Sequence, residues 1–176
     1  MDKFLIKGPS RLRGKVNISG SKNSALPILA STLLFDNPVT INNLPNVKDI
    51  DTMLSLLKSL GLKVIYNKKN SSVKIIKSKK IKTFVSYSLV KTMRAGILVL
   101  GPMLAKYKKA ITSLPGGCLI GARPVNFHLN ALKKLGMSYE IKGGYIHAKI
   151  KSILKGNDVK FPKISVGATE NLIIAS

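Results

Sequence analysis

The feature that most constrains this chain is that it repeats itself. The segment Asp51-Thr-Met-Leu-Ser-Leu-Leu-Lys-Ser-Leu-Gly61 returns as Asn126-Phe-His-Leu-Asn-Ala-Leu-Lys-Lys-Leu-Gly136. Leu54 matches Leu129, Leu57 matches Leu132, Leu60 matches Leu135 and Gly61 matches Gly136, all at one spacing of 75. Apolar residues three or four apart put one greasy face on a helix, and a glycine after the last of them stops it. Each predicted helix runs into strand-like alternation: Leu62 to Tyr66 and Val73 to Ile76 in the first copy, Met137 to Ile141 and Tyr145 to Ile150 in the second. A strand ending in Leu-Pro precedes each helix, at Thr40 to Pro45 and at Ala110 to Pro115.

Each unit also opens with a helix. The first follows Ser19-Gly20-Ser21-Lys22-Asn23 and runs from Ala25 to Leu34. It is apolar on most sides, which predicts burial, with Pro27 near the first turn, where proline is best tolerated. The second is expected over about Ser88 to Lys106. A third unit begins where Leu154 to Val159 echoes Leu12 to Val16, and Ser165-Val166-Gly167-Ala168-Thr169 leads into an apolar helix that has barely started at Ser176. The expectation is an α/β (α+β) fold of about two and a third αβαβββ-like units, cut short.

The two Leu-Pro pairs are 70 residues apart while the two helices are 75 apart, so five extra residues lie between Pro115 and Asn126. A unit that keeps its scaffold and enlarges one strand-to-helix loop marks a place where function has been added. That loop reads Gly116-Gly117-Cys118-Leu119-Ile120-Gly121-Ala122-Arg123-Pro124. Its glycines let backbone amides approach a ligand, and Arg123 lies just before a helix start, where an anion also meets the helix dipole. Cys118, the only cysteine, could be a small buried residue; its setting among glycines and cations predicts an accessible, acid-shifted thiol instead. Lys22 and Asn23 sit at the start of the first helix. A lysine there opposes the dipole, a mismatch that a bound anion would relieve. Arg94 interrupts an apolar helix and needs a partner. His128 and His147 have no spaced carboxylate or cysteine partners; they are expected at the surface or core edge, and no metal site is predicted.

Composition excludes more than it selects. Hydrophobic residues make up 45% of the chain, enough for a core, and one cysteine rules out an intrachain disulfide. The amino terminus lacks the apolar run of a signal peptide, and the longest apolar stretch, Ala95 to Ala105, is too short for a bilayer. A cytoplasmic protein without membrane contact is expected. The formal net charge of +23 invites a nucleic-acid reading. Yet the lysines are spread through nearly every segment, aromatics rarely sit among them, and only Arg11, Arg13, Arg94 and Arg123 are arginines. No nucleic-acid partner is therefore predicted, although the positive field would attract small anions. A basic polyanion-binding module remains as an alternative reading.

At these residues the chain resembles the UDP-N-acetylglucosamine 1-carboxyvinyltransferases, the enolpyruvyl transferases of early peptidoglycan synthesis. The resemblance rests on Ile18 to Pro27, Leu89 to Ala95, Leu114 to Val125 and Ile164 to Thr169. It implies an inside-out α/β barrel of six repeats, of which residues 21–176 would be an incomplete first domain and residues 1–20 a segment packing on a missing second domain. It implies phosphoenolpyruvate and UDP-N-acetylglucosamine as substrates, with that second domain as a partner and no metal or organic cofactor. Cys118 would be the proton donor, the covalent adduct site and the target of fosfomycin. Lys22, Asn23 and Arg123 would hold phosphoenolpyruvate. Arg94, Arg123, Pro124, Val125, Asn126, Phe127, Lys163, Ser165, Val166 and Gly167 would cradle the sugar nucleotide. Asn126 departs from the family's usual aspartate. An aspartate base and a second phosphate-binding arginine would come from the other domain, so a non-catalytic remnant is the second alternative.

Overall fold

A computed structural model of the chain describes residues 3–9, 11–91, 93–114 and 125–176. The first unit comprises α1 (Lys22–Ser31) with a 3₁₀ turn at Thr32–Leu34, then β1 (Val39–Ile41), α2 (Lys48–Ser59), β2 (Lys63–Asn67) and β3 (Ser72–Ile76). Next come β4 (Phe84–Val85), α3 (Tyr87–Val90) and a 3₁₀ segment at Arg94–Val99 that continues into α4 (Leu100–Tyr107). The second unit goes on with β5 (Lys109–Ser113), α5 (Asn126–Lys134), β6 (Met137–Lys142) and β7 (Tyr145–Ile150), and α6 (Val166–Ala175) opens a third.

The two units build the same sheet. β1 pairs antiparallel with β3 and β3 with β2; correspondingly β5 pairs with β7 and β7 with β6. The difference is β4, which leaves the first unit and pairs in parallel with β5 through Phe84↔Ile111 and Val85↔Thr112. The described residues form two open sheets and no closed barrel. Among them no helix is long and apolar enough to cross a membrane.

The matched leucines do matched work. Leu54, Leu57 and Leu60 are buried in and after α2, as are Leu129, Leu132 and Leu135 in and after α5. Gly61 and Gly136 end their helices at φ +103° and +102°, a conformation that costs any residue with a Cβ. The core lies between the units. α1 packs on α2, on the 3₁₀ segment and on α6, while α4 and α5 pack on α6.

Two expectations need correction. α1 starts at Lys22, with the Ala25 N–H already donating to the Ser21 carbonyl, so Pro27 falls in the second turn. The helix is also buried on one side only: Ala25, Leu26, Leu29 and Ala30 face the core, whereas Ile28 is half exposed. The predicted helix over 88–106 is three pieces, α3, the 3₁₀ segment and α4, and Asn171 intrudes at the second of the two junctions. Pro102 is the third residue of α4, within the first turn, where its missing N–H leaves no bond unmade.

Asp36, in the turn after α1, is gripped from two elements. Lys77 beyond β3 and Lys106 of α4 each place Nζ 2.6 Å from one carboxylate oxygen. The Lys77 ammonium also lies 5.6 Å from the centre of the Tyr107 ring, and the Tyr107 hydroxyl donates to the Leu33 carbonyl. The hydrogen bond from Lys106, then that from Lys77, lowers the Asp36 carboxyl to about 2.

Two measurements test this description. The folded pKa of Asp36 lies below its ordinary value, so its contribution is full above about 3.8 and disappears as pH falls through about 2. The difference in urea midpoint between wild type and Asp36→Asn should accordingly be present at neutral pH and close at the acid end; a pH-independent difference would refute the clamp. The paired glycines give the second. A Cβ on Gly136 meets nothing within 4 Å, whereas one on Gly61 would lie 2.6 Å from the Lys80 carbonyl oxygen. Gly136→Ala should cost about 1 kcal/mol of backbone strain, and Gly61→Ala about 2 kcal/mol or more. Equal losses in denaturant titrations would contradict the packing assigned to Gly61.

Candidate functional site

The amino-terminal ends of α5 and α6 lie together. Val125 is the N-cap of α5, followed by exposed Asn126 and half-buried Phe127. Phe127 faces Phe161 and Pro162 across a pocket of about 40 Å³ that Asn130, Ala131, Lys134, Val159 and Lys160 complete. This brings the 125–127 stretch beside the segment that enters α6. There Lys163 is exposed, Ser165 caps the helix by accepting from the Ala168 N–H at 3.4 Å, and Val166 is exposed. Neither α5 nor α6 has an acidic residue in its first turn. Helix amino termini without an acidic residue favour an anion in front of them.

What fixes the two helices is a buried amide. The Asn171 side chain, on α6, has no exposed surface. Its Oδ1 accepts from the Gly101 N–H at 2.8 Å, and its Nδ2 donates to the Ile97 carbonyl at 3.1 Å. Nδ2 also lies 3.1 Å from Nδ1 of His128, in the first turn of α5. One amide thus spans the junction where 3₁₀ turns give way to α4 and reaches α5 as well. A Cβ at residue 101 would come within 2.4 Å of both Asn171 oxygens, so only glycine permits the approach. The imidazole rests on Gly167, with Cε1 3.5 Å and Nε2 3.7 Å from where a Cβ there would sit.

Lys22, the first residue of α1, is paired with Asp49 in the first turn of α2, Nζ to Oδ2 2.9 Å, with both side chains over a third exposed. The sequence predicts a free cation seeking an anion, whereas the structure supplies a carboxylate that a stronger anionic ligand must displace. Asn23 is exposed beside it. Among the described residues no hydrogen bond or ion pair joins Lys22 or Asn23 to the α5 and α6 ends. Cys118, Arg123 and Pro124 lie outside the described residues, and the Arg94 side chain is likewise not described; its backbone opens the 3₁₀ segment. Sequence reasoning places His128 at the surface or core edge, whereas it is buried and in contact with Asn171. Asn171 could have been suspected as a polar residue in an otherwise apolar helix, and Asp49 only as an acid near a helix start.

A larger concavity, about 360 Å³, opens on the second sheet among Lys109, Ile111, Glu140, His147 and Lys149. It contains none of the candidate residues and its charges are mixed, so it is no match for an anionic ligand. No cluster of three metal-ligating side chains occurs among the described residues. Burial raises the Glu170 carboxyl on α6 above its ordinary value.

Comparison with known proteins adds independent findings. Residues 6–176 match the family described as EPSP synthase (3-phosphoshikimate 1-carboxyvinyltransferase). All 176 residues align with the UDP-N-acetylglucosamine 1-carboxyvinyltransferase of Pelagibacter ubique at 59% identity and with that of Acinetobacter baylyi at 51%. The chain spans 42% of the length of each. Among solved structures, the enolpyruvyl transferase NikO from Streptomyces tendae superposes with a TM-score of 0.77 at 17% identity, over 96% of this chain and 39% of that one. An EPSP synthase from Acinetobacter baumannii gives 0.70 at 16% identity, over 92% and 37%. These two likenesses establish the fold.

The amide that fixes the site should be costly to lose. Asn171→Leu removes one acceptor and two donors at once, leaving the Gly101 N–H and the Ile97 carbonyl unmatched in the core. The expected loss is about 2–4 kcal/mol, read from chemical denaturation; a neutral result would show that the amide is dispensable.

Proposed function

The chain belongs to the EPSP synthase family of 1-carboxyvinyltransferases, and from that premise we propose that it is the amino-terminal portion of a UDP-N-acetylglucosamine 1-carboxyvinyltransferase. Such an enzyme transfers the enolpyruvyl group of phosphoenolpyruvate to the sugar 3-hydroxyl and releases phosphate, the first committed step of peptidoglycan synthesis in the cytoplasm. The observation that carries the reading is 59% identity along all 176 residues to a relative of that name. The glycine-rich enlargement of the β5-to-α5 loop supports it, because it puts Cys118 and Arg123 immediately before the helix end described above.

In this reading each residue has a chemical task. Lys22 and Arg123 bind the phosphate and carboxylate of phosphoenolpyruvate, whose charge needs fixed cations. Lys22 exchanges Asp49 for the ligand as it does so. The sugar hydroxyl oxygen adds to C2 while the Cys118 thiol gives its proton to the C3 methylene. The resulting tetrahedral ketal loses phosphate and a C3 proton, which restores the vinyl group on the sugar. Cys118 can also add to C2 itself, forming a thioketal, and the same nucleophilicity exposes it to fosfomycin. Asn23 lies at the reacting centre. Arg94, Arg123, Pro124, Val125, Asn126 and Phe127 hold the sugar nucleotide from one side, with Lys163, Ser165, Val166 and Gly167 on the other. Two helix amino termini facing a diphosphate would contribute to that grip. The base that takes the hydroxyl proton, and a further phosphate-binding arginine, belong to the second domain, against which residues 1–20 pack. Phe4, Leu5 and Ile6 are 97%, 99% and 88% exposed, which is consistent with a surface that such a domain would cover.

The test is phosphate release from phosphoenolpyruvate and UDP-N-acetylglucosamine by the chain extended to the full length of its relatives with the remainder of the Pelagibacter protein. Turnover is expected. Cys118→Ser should abolish it, since an alcohol is a poor acid, while Cys118→Asp should retain it because a carboxylic acid can donate the same proton. No turnover by the unmodified enzyme, or full activity in Cys118→Ser, would refute the assignment.

A further inference from the structure

The functional reading leaves His128 unused, although it immediately follows the 125–127 stretch and touches Gly167 of the other. We propose that His128 is a positioning residue for sugar-nucleotide binding: clamped by Asn171, it holds the start of α5 against the start of α6. This inference rests on the function proposed above. Asn171 can donate two hydrogen bonds through Nδ2 and accept through Oδ1. Gly101 occupies the acceptor, and the Ile97 carbonyl takes one of the donated bonds. The remaining proton points at His128 Nδ1, 3.1 Å away. Nδ1 must therefore be the acceptor, which places the imidazole proton on Nε2. Turning the amide over would set its NH₂ against the Gly101 N–H, so the orientation of the whole set is determined. The ring so fixed lies beside Gly167, one residue from exposed Val166 and two from the capping Ser165. Because His128 is the third residue of α5, its ring sets how far the N–H groups of that helix stand from those of α6. Loss of the ring should let the two stretches drift apart without touching Lys22 or Asn23, which lie on α1.

The experiment is steady-state kinetics of the same full-length enzyme with His128→Ala, His128→Asn and Met53→Ala. Met53 is buried in α2, on a different element from the α5 and α6 ends, and its truncation supplies a general loss of stability. His128→Ala is expected to raise KM for UDP-N-acetylglucosamine about tenfold, with KM for phosphoenolpyruvate and kcat within about twofold. His128→Asn, whose Oδ1 falls where Nδ1 was, should come back to within about threefold of wild type. Met53→Ala should leave both KM values in place. An unchanged sugar-nucleotide KM in His128→Ala, an equal rise in both KM values, or a rise reproduced by Met53→Ala would each overturn the inference. A direct readout needs no turnover: long-range ¹H–¹⁵N spectra of the 176-residue chain at pH 8 should show the Nε2–H tautomer, and an Nδ1–H tautomer would refute the clamp. Wild-type enzyme without turnover would sink the functional reading and this inference together. Active wild type with an indifferent His128→Ala would sink the inference alone.

Discussion

Everything in this fold hangs on the packing of corresponding helices from successive units. A sheet such as β1-β3-β2 has one apolar face, and α2 covers part of it; the rest of the core has to come from the neighbours. α1, the 3₁₀ segment with α4, and α6 are the same element of three units, and they bury their apolar sides on one another. Such a cluster of Leu, Ile, Val, Met and Ala is non-directional and would tolerate sliding. The Asn171 amide removes that freedom. It matches two backbone groups of the second unit and a side chain of α5, and a half-made version would leave unpaired groups in the core. Gly101 is the corollary, since a Cβ there would occupy the place of the amide. Apolar burial supplies the stability of the interface and the amide selects its register.

Much of this was legible in the sequence. The spacing of 75 identified α2 and α5, their stopping glycines and the strands after them, because periodicity and glycine act locally. What escaped was what depends on a distant partner. The helix over 88–106 read as continuous because nothing within it announces that Asn171, some seventy residues on, will intrude at Gly101. Pro27 read as a first-turn residue because the start at Lys22 is set by the Ser21 carbonyl, not by a capping side chain, and α1 has no such cap. The insertion between β5 and α5 was legible as a difference of five residues, and Cys118, Arg123 and Pro124 of that loop lie outside the described residues, so their geometry rests on resemblance.

The electrostatics of the proposed site were half legible. A lysine opening α1 and a gap in acidic residues before α5 and α6 could be read directly. That Lys22 is already neutralised by Asp49 could not, because the pair joins two helices across a turn. The distinction matters for ligand binding. An exposed ion pair in high dielectric is worth little, so exchanging the carboxylate for a multiply charged phosphate is an easy trade, and until then Asp49 keeps the ammonium over the helix end. The wider charge of +23 plays a different part: dispersed over lysines that mostly point into solvent, it provides an attractive field for anions rather than a shaped surface for a polymer.

The two sheets differ at one edge, and the difference explains why the units form a series. β4 is made by the first unit but pairs with β5 of the second, where it covers the edge of that sheet. β1 is the counterpart of β5, and among the described residues its equivalent edge has no strand on it. The first unit thus lends its last strand forward, and the sheet of the second is complete only when the first is present. In such an arrangement stability is shared between neighbours rather than held within a repeat, as the helix contacts already require. The helices and the lent strand act in the same direction: α6 begins a third unit whose first helix is already embedded in the core of the other two, through the same residue, Asn171, that orients the candidate site.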